Sequence, residues 1–186
     1  MLVRHAYYDL VSQDHIQRSG GEVMAKKEKT EKTGVETNAK AVKFQEFLME
    51  NNINVFSTES LDDAYNTVVF RSRIETTGQI LPMAIFIDTS VFTIIRTQIV
   101  TGIAEEKREK IQAYLNHLNT QFKIFKYYIR EDGVVYLDIC LPFVDETFDS
   151  KMIQLMLSVL VQHLDAIYAD FMAEVWAKQE QGESIE

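Results

Sequence analysis

Apolar residues fall into helical register from about Thr37, where Ala41, Phe44, Phe47 and Leu48 share one face and Asn51-Asn52 supplies a stop. A first helix is predicted there. Three strand-like runs follow, Asn66 to Thr76, Ile80 to Asp88 and Val91 to about Val100, separated by Thr77-Gly78-Gln79 and Asp88-Thr89-Ser90. Loops this short join only antiparallel neighbours, so the runs form a meander. Charged residues from Glu105 to Lys110 open a second helix to Asn119, with Ile111, Tyr114, Leu115 and Leu118 on one face. Phe122 to Arg130 and Val134 to Leu141 then read as a hairpin turning at Glu131-Asp132-Gly133, and Pro142 ends the second strand. Asp149 or Ser150 caps a last helix to about Lys178, apolar nearly all round from Met152 to Leu164 and therefore expected to be buried there.

This pattern predicts an α+β fold: an antiparallel five-stranded sheet, made of a three-stranded meander plus a hairpin, with three helices in the order α-β-β-β-α-β-β-α. The folded domain is expected over 38–178. Residues 1–37 carry few sustained apolar patterns and 24–40 almost no large hydrophobes, so 1–37 is expected to be a disordered or weakly ordered arm. Met24-Ala25-Lys26-Lys27 resembles a translation start, which would make the first 23 residues an extension. Residues 179–186 read as an acidic tail.

The sheet's two faces differ in kind. In the first run Val68, Phe70 and Ile74 oppose Thr67, Arg71, Arg73 and Glu75, whereas the second and third runs are apolar on both faces. Both faces of the sheet therefore need cover. Three helices all lying on one face would leave the other to a second copy, and excess apolar surface favours that arrangement, so a homodimer is expected. The candidate interaction surface is Phe86, Phe92, Ile94, Phe125, Tyr127, Tyr136, Asp138, Met156 and Leu160.

Composition bounds the function. The 186 residues are 46% hydrophobic and 25% charged, an ordinary globular balance, with only 7 Gly and 2 Pro, which argues against a many-turned sandwich or barrel. The formal net charge of -9 repels a phosphate backbone, so nucleic acid is not an expected partner despite the aromatic and basic hairpin. One cysteine excludes an intrachain disulfide. No signal-peptide pattern opens the chain, and the longest apolar run, about ten residues, is too short to span a bilayer. A cytoplasmic protein that binds no membrane is expected.

Candidate chemistry is sparse. His5 and His15 lack metal-ligand spacing, His117 reads as a surface residue, and His163 and Asp165 stand two apart on a helix, facing apart rather than forming a dyad. Cys140 lies in a strand with no neighbouring cation to activate it and reads as a packed thiol. Asp138 stands among Val135, Leu137 and Ile139, next to Lys123, Lys126 and Arg130 of the hairpin partner. A cross-strand ion pair on an exposed face is its simplest reading, and a polar anchor in a binding groove the functional one. No glycine-rich phosphate loop is present. No catalytic residue, cofactor or metal is assigned.

The helix IQAYLNHLN at Ile111–Asn119, the aromatic strand Phe122–Ile129, the turn Glu131-Asp132-Gly133, the strand Val135–Asp138 with Leu141-Pro142, and the last helix with Leu157 to Met172 together carry a family likeness. Over roughly 38–178 the chain resembles the YbjN-like proteins and the type III secretion chaperone-like fold they share. The resemblance implies a small cytoplasmic bacterial domain, often dimeric, that serves as a protein-binding or regulatory module. The secretion chaperones hold extended client segments on apolar patches. Residues and resemblance together predict a non-enzymatic protein-binding module, chaperone-like or regulatory. The alternative is a small-molecule-binding domain or small enzyme with a pocket between the sheet and the C-terminal helix.

Overall fold

A computed structural model describes residues 38–76 and 78–177. The readings of 1–37, of Met24 as a start and of the tail 179–186 lie outside the described residues. Helix α1 (Ala39–Glu50) begins where the Asn38 side chain accepts the Ala41 N–H. The same amide donates to Ile87 O at 2.9 Å and Asn66 O at 3.0 Å, fastening the helix start to the sheet. Lys40, buried in this helix, donates to Ser90 O and to Phe143 O, tying α1 to two loops. Burial pulls its ammonium below the ordinary lysine value, while Asp88 and Asp145 pull it back up.

The sheet has six strands, β1 (Ser57–Ser60), β2 (Val68–Thr76), β3 (Gln79–Ile87), β4 (Phe92–Val100), β5 (Lys126–Ile129) and β6 (Val135–Pro142), in the spatial order β1-β2-β3-β4-β6-β5. All neighbours are antiparallel. The expected five strands are corrected to six. The added strand is Ser-Thr-Glu-Ser, which has no apolar alternation to mark it and pairs with Val68–Arg71. The hairpin also returns with its second strand inside, β6 beside β4, leaving β5 at the edge.

Helices α2 (Arg108–Gln121), preceded by a 3-10 turn at Glu105–Lys107, and α3 (Ser150–Trp176) join α1 on one face of the sheet. Val68, Phe70 and Ile74 of β2, Ile85 and Ile87 of β3, Ile95 of β4, and Leu137 and Ile139 of β6 alternate onto that face and form the main core with the helices. Phe44 reaches down from α1 edge-on to Phe70, ring centroids 4.9 Å apart. The opposite face carries a separate small cluster of Val69, Ala84, Phe86 and Ile94, with Leu61 packed against it and no helix residue in it.

Asp149 caps α3 by accepting the Lys151 N–H. Only one side of this helix is buried: Ile153, Leu160, Leu164, Phe171 and Val175 face the core, whereas Leu155 remains 52% exposed. The expected all-round burial of Met152 to Leu164 is therefore corrected, because among the described residues no second layer lies outside α3. By length and composition Ser150–Trp176 also meets the test for a membrane span, which the ten-residue apolar run counted from the sequence did not. A sheet-packed core helix meets the same test, so this is weak evidence for a membrane.

Candidate functional site

An open apolar pocket of about 280 Å³ lies between α1, the β2 and β3 strands and α3. It forms because β1 pairs with β2 only from Val68 to Arg71, after which the preceding chain diverges from the strand. The last tether is the Ser72 hydroxyl, which donates to Val55 O at 2.9 Å. Asn52 makes the sharp exit from α1 with φ 55°, and Ile53 N–H returns to Leu48 O. Phe44, Phe47 and Leu48 form one wall, Ile74 and Met83 the floor, and Leu157 and Val161 of α3 the other wall. Arg73, Glu75 and Gln154 stand among the lining residues, and Val55 is 64% exposed.

A second feature lies on the opposite face. Arg96 of β4 and Asp138 of β6 are directly opposed across the ladder, and both are buried. Arg96 Nε and Nη2 each meet an Asp138 carboxylate oxygen at 2.9 Å, a two-pronged pair. The Tyr128 hydroxyl donates to Asp138 Oδ2 at 3.2 Å. The guanidinium carbon lies 5.2 Å from the Phe86 ring centroid, 5.6 Å from that of Tyr136 and 5.9 Å from that of Tyr128. The expected exposed setting of the Asp138 ion pair is thus corrected. The carboxylate is buried and gripped from the meander side, with Lys126 opposite it on β5.

A third group is internal. His163 of α3 stacks on Phe125 at 3.9 Å between centroids and shares a hydrogen bond of 2.6 Å between its Nε2 and the Tyr127 hydroxyl. Burial holds the imidazole down to about 4 and drives the Tyr127 phenol far above its ordinary value, so both partners of this contact are neutral. Asp165 turns elsewhere, accepting the Thr76 hydroxyl at 2.7 Å. His163 does not line the pocket.

The nine candidate surface residues do not form one patch. Phe86, Phe92, Ile94, Tyr136 and Asp138 share the face opposite the helices, with Phe86, Ile94 and Asp138 buried there. Phe125, Tyr127 and Leu160 belong to the main core, and Met156 is half-buried beside it. Cys140, expected to be packed, is exposed near the end of β6. None of the nine lines the pocket. Its residues were missed because they come from four separated elements, each of which reads as ordinary core by itself. Among the described residues no group of three or more His, Cys, Asp or Glu is placed to hold a metal ion. No protein-family model matches the chain, and no curated protein matches it significantly.

Proposed function

We propose that the chain is a non-enzymatic protein-binding module, chaperone-like or regulatory, that holds an extended apolar segment of a partner polypeptide. The observation carrying this reading is the apolar pocket beside the outer edge of β2. Among the described residues no strand pairs with that edge beyond Arg71. An extended segment laid there gains main-chain hydrogen bonds from Arg73 to Thr76 and drops alternate apolar side chains beside Ile74, Phe47 and Leu157. The likeness to YbjN-like proteins and the secretion-chaperone fold supports the same reading, and with it a cytoplasmic setting.

A second reading, a small apolar ligand in this pocket, is favoured by its position between the sheet and α3 and by a volume near the ~300 Å³ lower end of small-molecule sites. Titrating the full chain into a fluorescent ten-residue peptide of alternating Leu and Thr, and separately into a dansylated fatty acid, distinguishes them. The proposal expects saturable peptide binding that Leu157→Trp, by filling the pocket, weakens about tenfold or more. Fatty-acid binding without peptide binding would establish the second reading instead. Peptide binding unaffected by Leu157→Trp would remove the pocket from the mechanism.

A further inference from the structure

The face of the sheet turned away from the helices is buried along one stripe and bare beside it. Strand pairing sets Val69, Phe86 and Ile94 in one row and Ala84, Arg96 and Asp138 in the next. None of the six is more than 8% exposed. On the same face, in the two rows that follow, Pro82 is exposed and Ile80 is 61% exposed. A sheet face open to water exposes its middle as well as its ends, so the stripe lies under a cover that stops short of Pro82. The described residues supply little of that cover. All three helices pack on the other face, and among the described residues Leu61 alone packs as a partly buried apolar side chain against the Val69, Ala84, Phe86 and Ile94 cluster. Its N–H donates to Thr67 O, which holds it at the β2 end. With strands about 4.8 Å apart, Asp138 on β6 lies three strand spacings, ~14 Å, from Val69.

We infer that the first 23 residues of this chain dock on the stripe, carried over the end of the sheet by residues 24–37. The point of entry carries the argument. Asn38, the first described residue, donates to Ile87 O and to Asn66 O. Ile87 adjoins Phe86 and Asn66 stands three before Val69, so the preceding chain arrives at the end of the sheet that the stripe borders, far from Ile80. Residues 24–37 hold almost no large hydrophobes and span up to ~46 Å when extended, ample for a crossing of ~14 Å. Before them Leu2, Val3, Tyr7, Tyr8, Leu10 and Val11 fall within ten residues and supply the apolar surface that the stripe needs. The two rows are ~7 Å apart, so one segment about as wide as a helix covers both. Charge agrees: Arg71 and Lys126, both exposed, flank the second row, and Asp9 and Asp14 lie in and just after the apolar run. Residues 178–186 are a poorer occupant. Ile185 is their one large apolar side chain, and they leave from the helix side, where Lys107 donates to Val175 O and Ala177 O. A chain translated from Met24 would keep the linker and lose the cover, so the choice of start would decide whether this face is accessible.

The test places a nitroxide on Cys140, the single cysteine, which is exposed in the same row as Ile94, and follows the amide signals of the full chain by NMR. Signals of residues 1–23, Tyr7 to Val11 above all, are expected to lose most of their intensity relative to the reduced label, while those of 179–186 keep theirs. A label at Ile80→Cys in a Cys140→Ser background, on the same face but outside the stripe, is expected to act on the same signals. One at Leu155→Cys in that background, on the helix side, is expected to leave them intact. Tyr7→Asp with Leu10→Asp puts two charges into the apolar run and is expected to weaken docking about tenfold or more, returning the lost intensity with unchanged circular dichroism. Full intensity with both the Cys140 and the Ile80→Cys labels overturns the docking, and equal loss from Leu155→Cys overturns the stripe as its place. Loss that survives the double substitution overturns the apolar run as the anchor. If isotope-labelled Cys140→Ser chains mixed with nitroxide-bearing, unlabelled chains lose the same signals, the segment sits on a second molecule and the intrachain cover is overturned.

Discussion

Arg96 and Asp138 face each other across β4 and β6 with two contacts of 2.9 Å, and neither side chain is more than 4% exposed. Three aromatic rings surround the guanidinium, so the pair sits in a medium where one member without the other is a buried bare charge. Asp138→Ala is expected to destabilise the fold by about 3–5 kcal/mol in chemical denaturation. Replacing both residues, Arg96→Met with Asp138→Leu, is expected to recover most of that loss, because the desolvation penalty of both ions disappears. A double variant as unstable as the single one would show that the pair contributes shape rather than charge balance.

The Asp132-Gly133 turn is fixed by more than the hairpin. Gly133 has φ 74°, and a Cβ there would stand 2.5 Å from the Ile103 carbonyl oxygen. That backbone is itself tied to the turn, Ile103 N–H donating to Gly133 O at 3.0 Å. Gly78 has a similar φ of 82° but open space around it. Gly78→Ala is expected to cost about 1 kcal/mol, the strain alone, and Gly133→Ala clearly more because the Ile103 segment must move as well. Equal losses in urea melts would show that the Ile103 contact adds nothing.

Strong periodicity made β2, β3 and β4 legible to within two residues at each end, and the same holds for α1 and α3, whereas α2 begins three residues later than expected because Glu105–Lys107 form a 3-10 turn. β1 was not legible, since four polar residues at an edge carry no apolar alternation and their place is set by pairing with β2. The β5 strand, expected from Phe122 to Arg130, is limited to Lys126–Ile129, and the Asn119 side chain stands in for a neighbour at Tyr127, accepting its N–H at 2.7 Å and donating to its O at 2.9 Å. A tertiary side-chain bond of this kind leaves no periodic mark. The partner of Asp138 was hidden for a related reason. Hairpin logic points to β5, whereas the closing contact comes from β4, 42 residues earlier. The pocket depends on where the chain before β1 leaves β2, a divergence that no single segment encodes.

Cys140 is exposed, yet partial burial and the nearby Asp138 carboxylate raise its thiol above the ordinary value, with Lys126 opposing them. Less thiolate is then present at any pH near neutrality, and the thiolate is the nucleophile. Alkylation by iodoacetamide is expected to be slower than for a small free thiol at pH 8, and its rate to climb with pH to a midpoint above the ordinary cysteine value. A midpoint below that value would mean that Lys126 outweighs burial and Asp138.

His163 supplies a pH dependence of known sign. Its folded value is about 4 against an ordinary 6.5, so below about 6.5 the unfolded chain takes up a proton that the folded chain refuses. The neutral imidazole therefore contributes stability that is present above 6.5 and is lost progressively as pH falls toward 4, each unit of difference being worth about 1.4 kcal/mol. Protonation would also make Nε2 a donor only towards the Tyr127 hydroxyl and place a cation against Phe125 and Phe122. His163→Gln keeps an acceptor for that hydroxyl without a group that titrates. The variant is expected to show a flatter stability profile between pH 6.5 and 4 in urea melts. An NMR titration in which the His163 ring protons shift with a midpoint near 6.5 would contradict both the burial argument and the predicted profile.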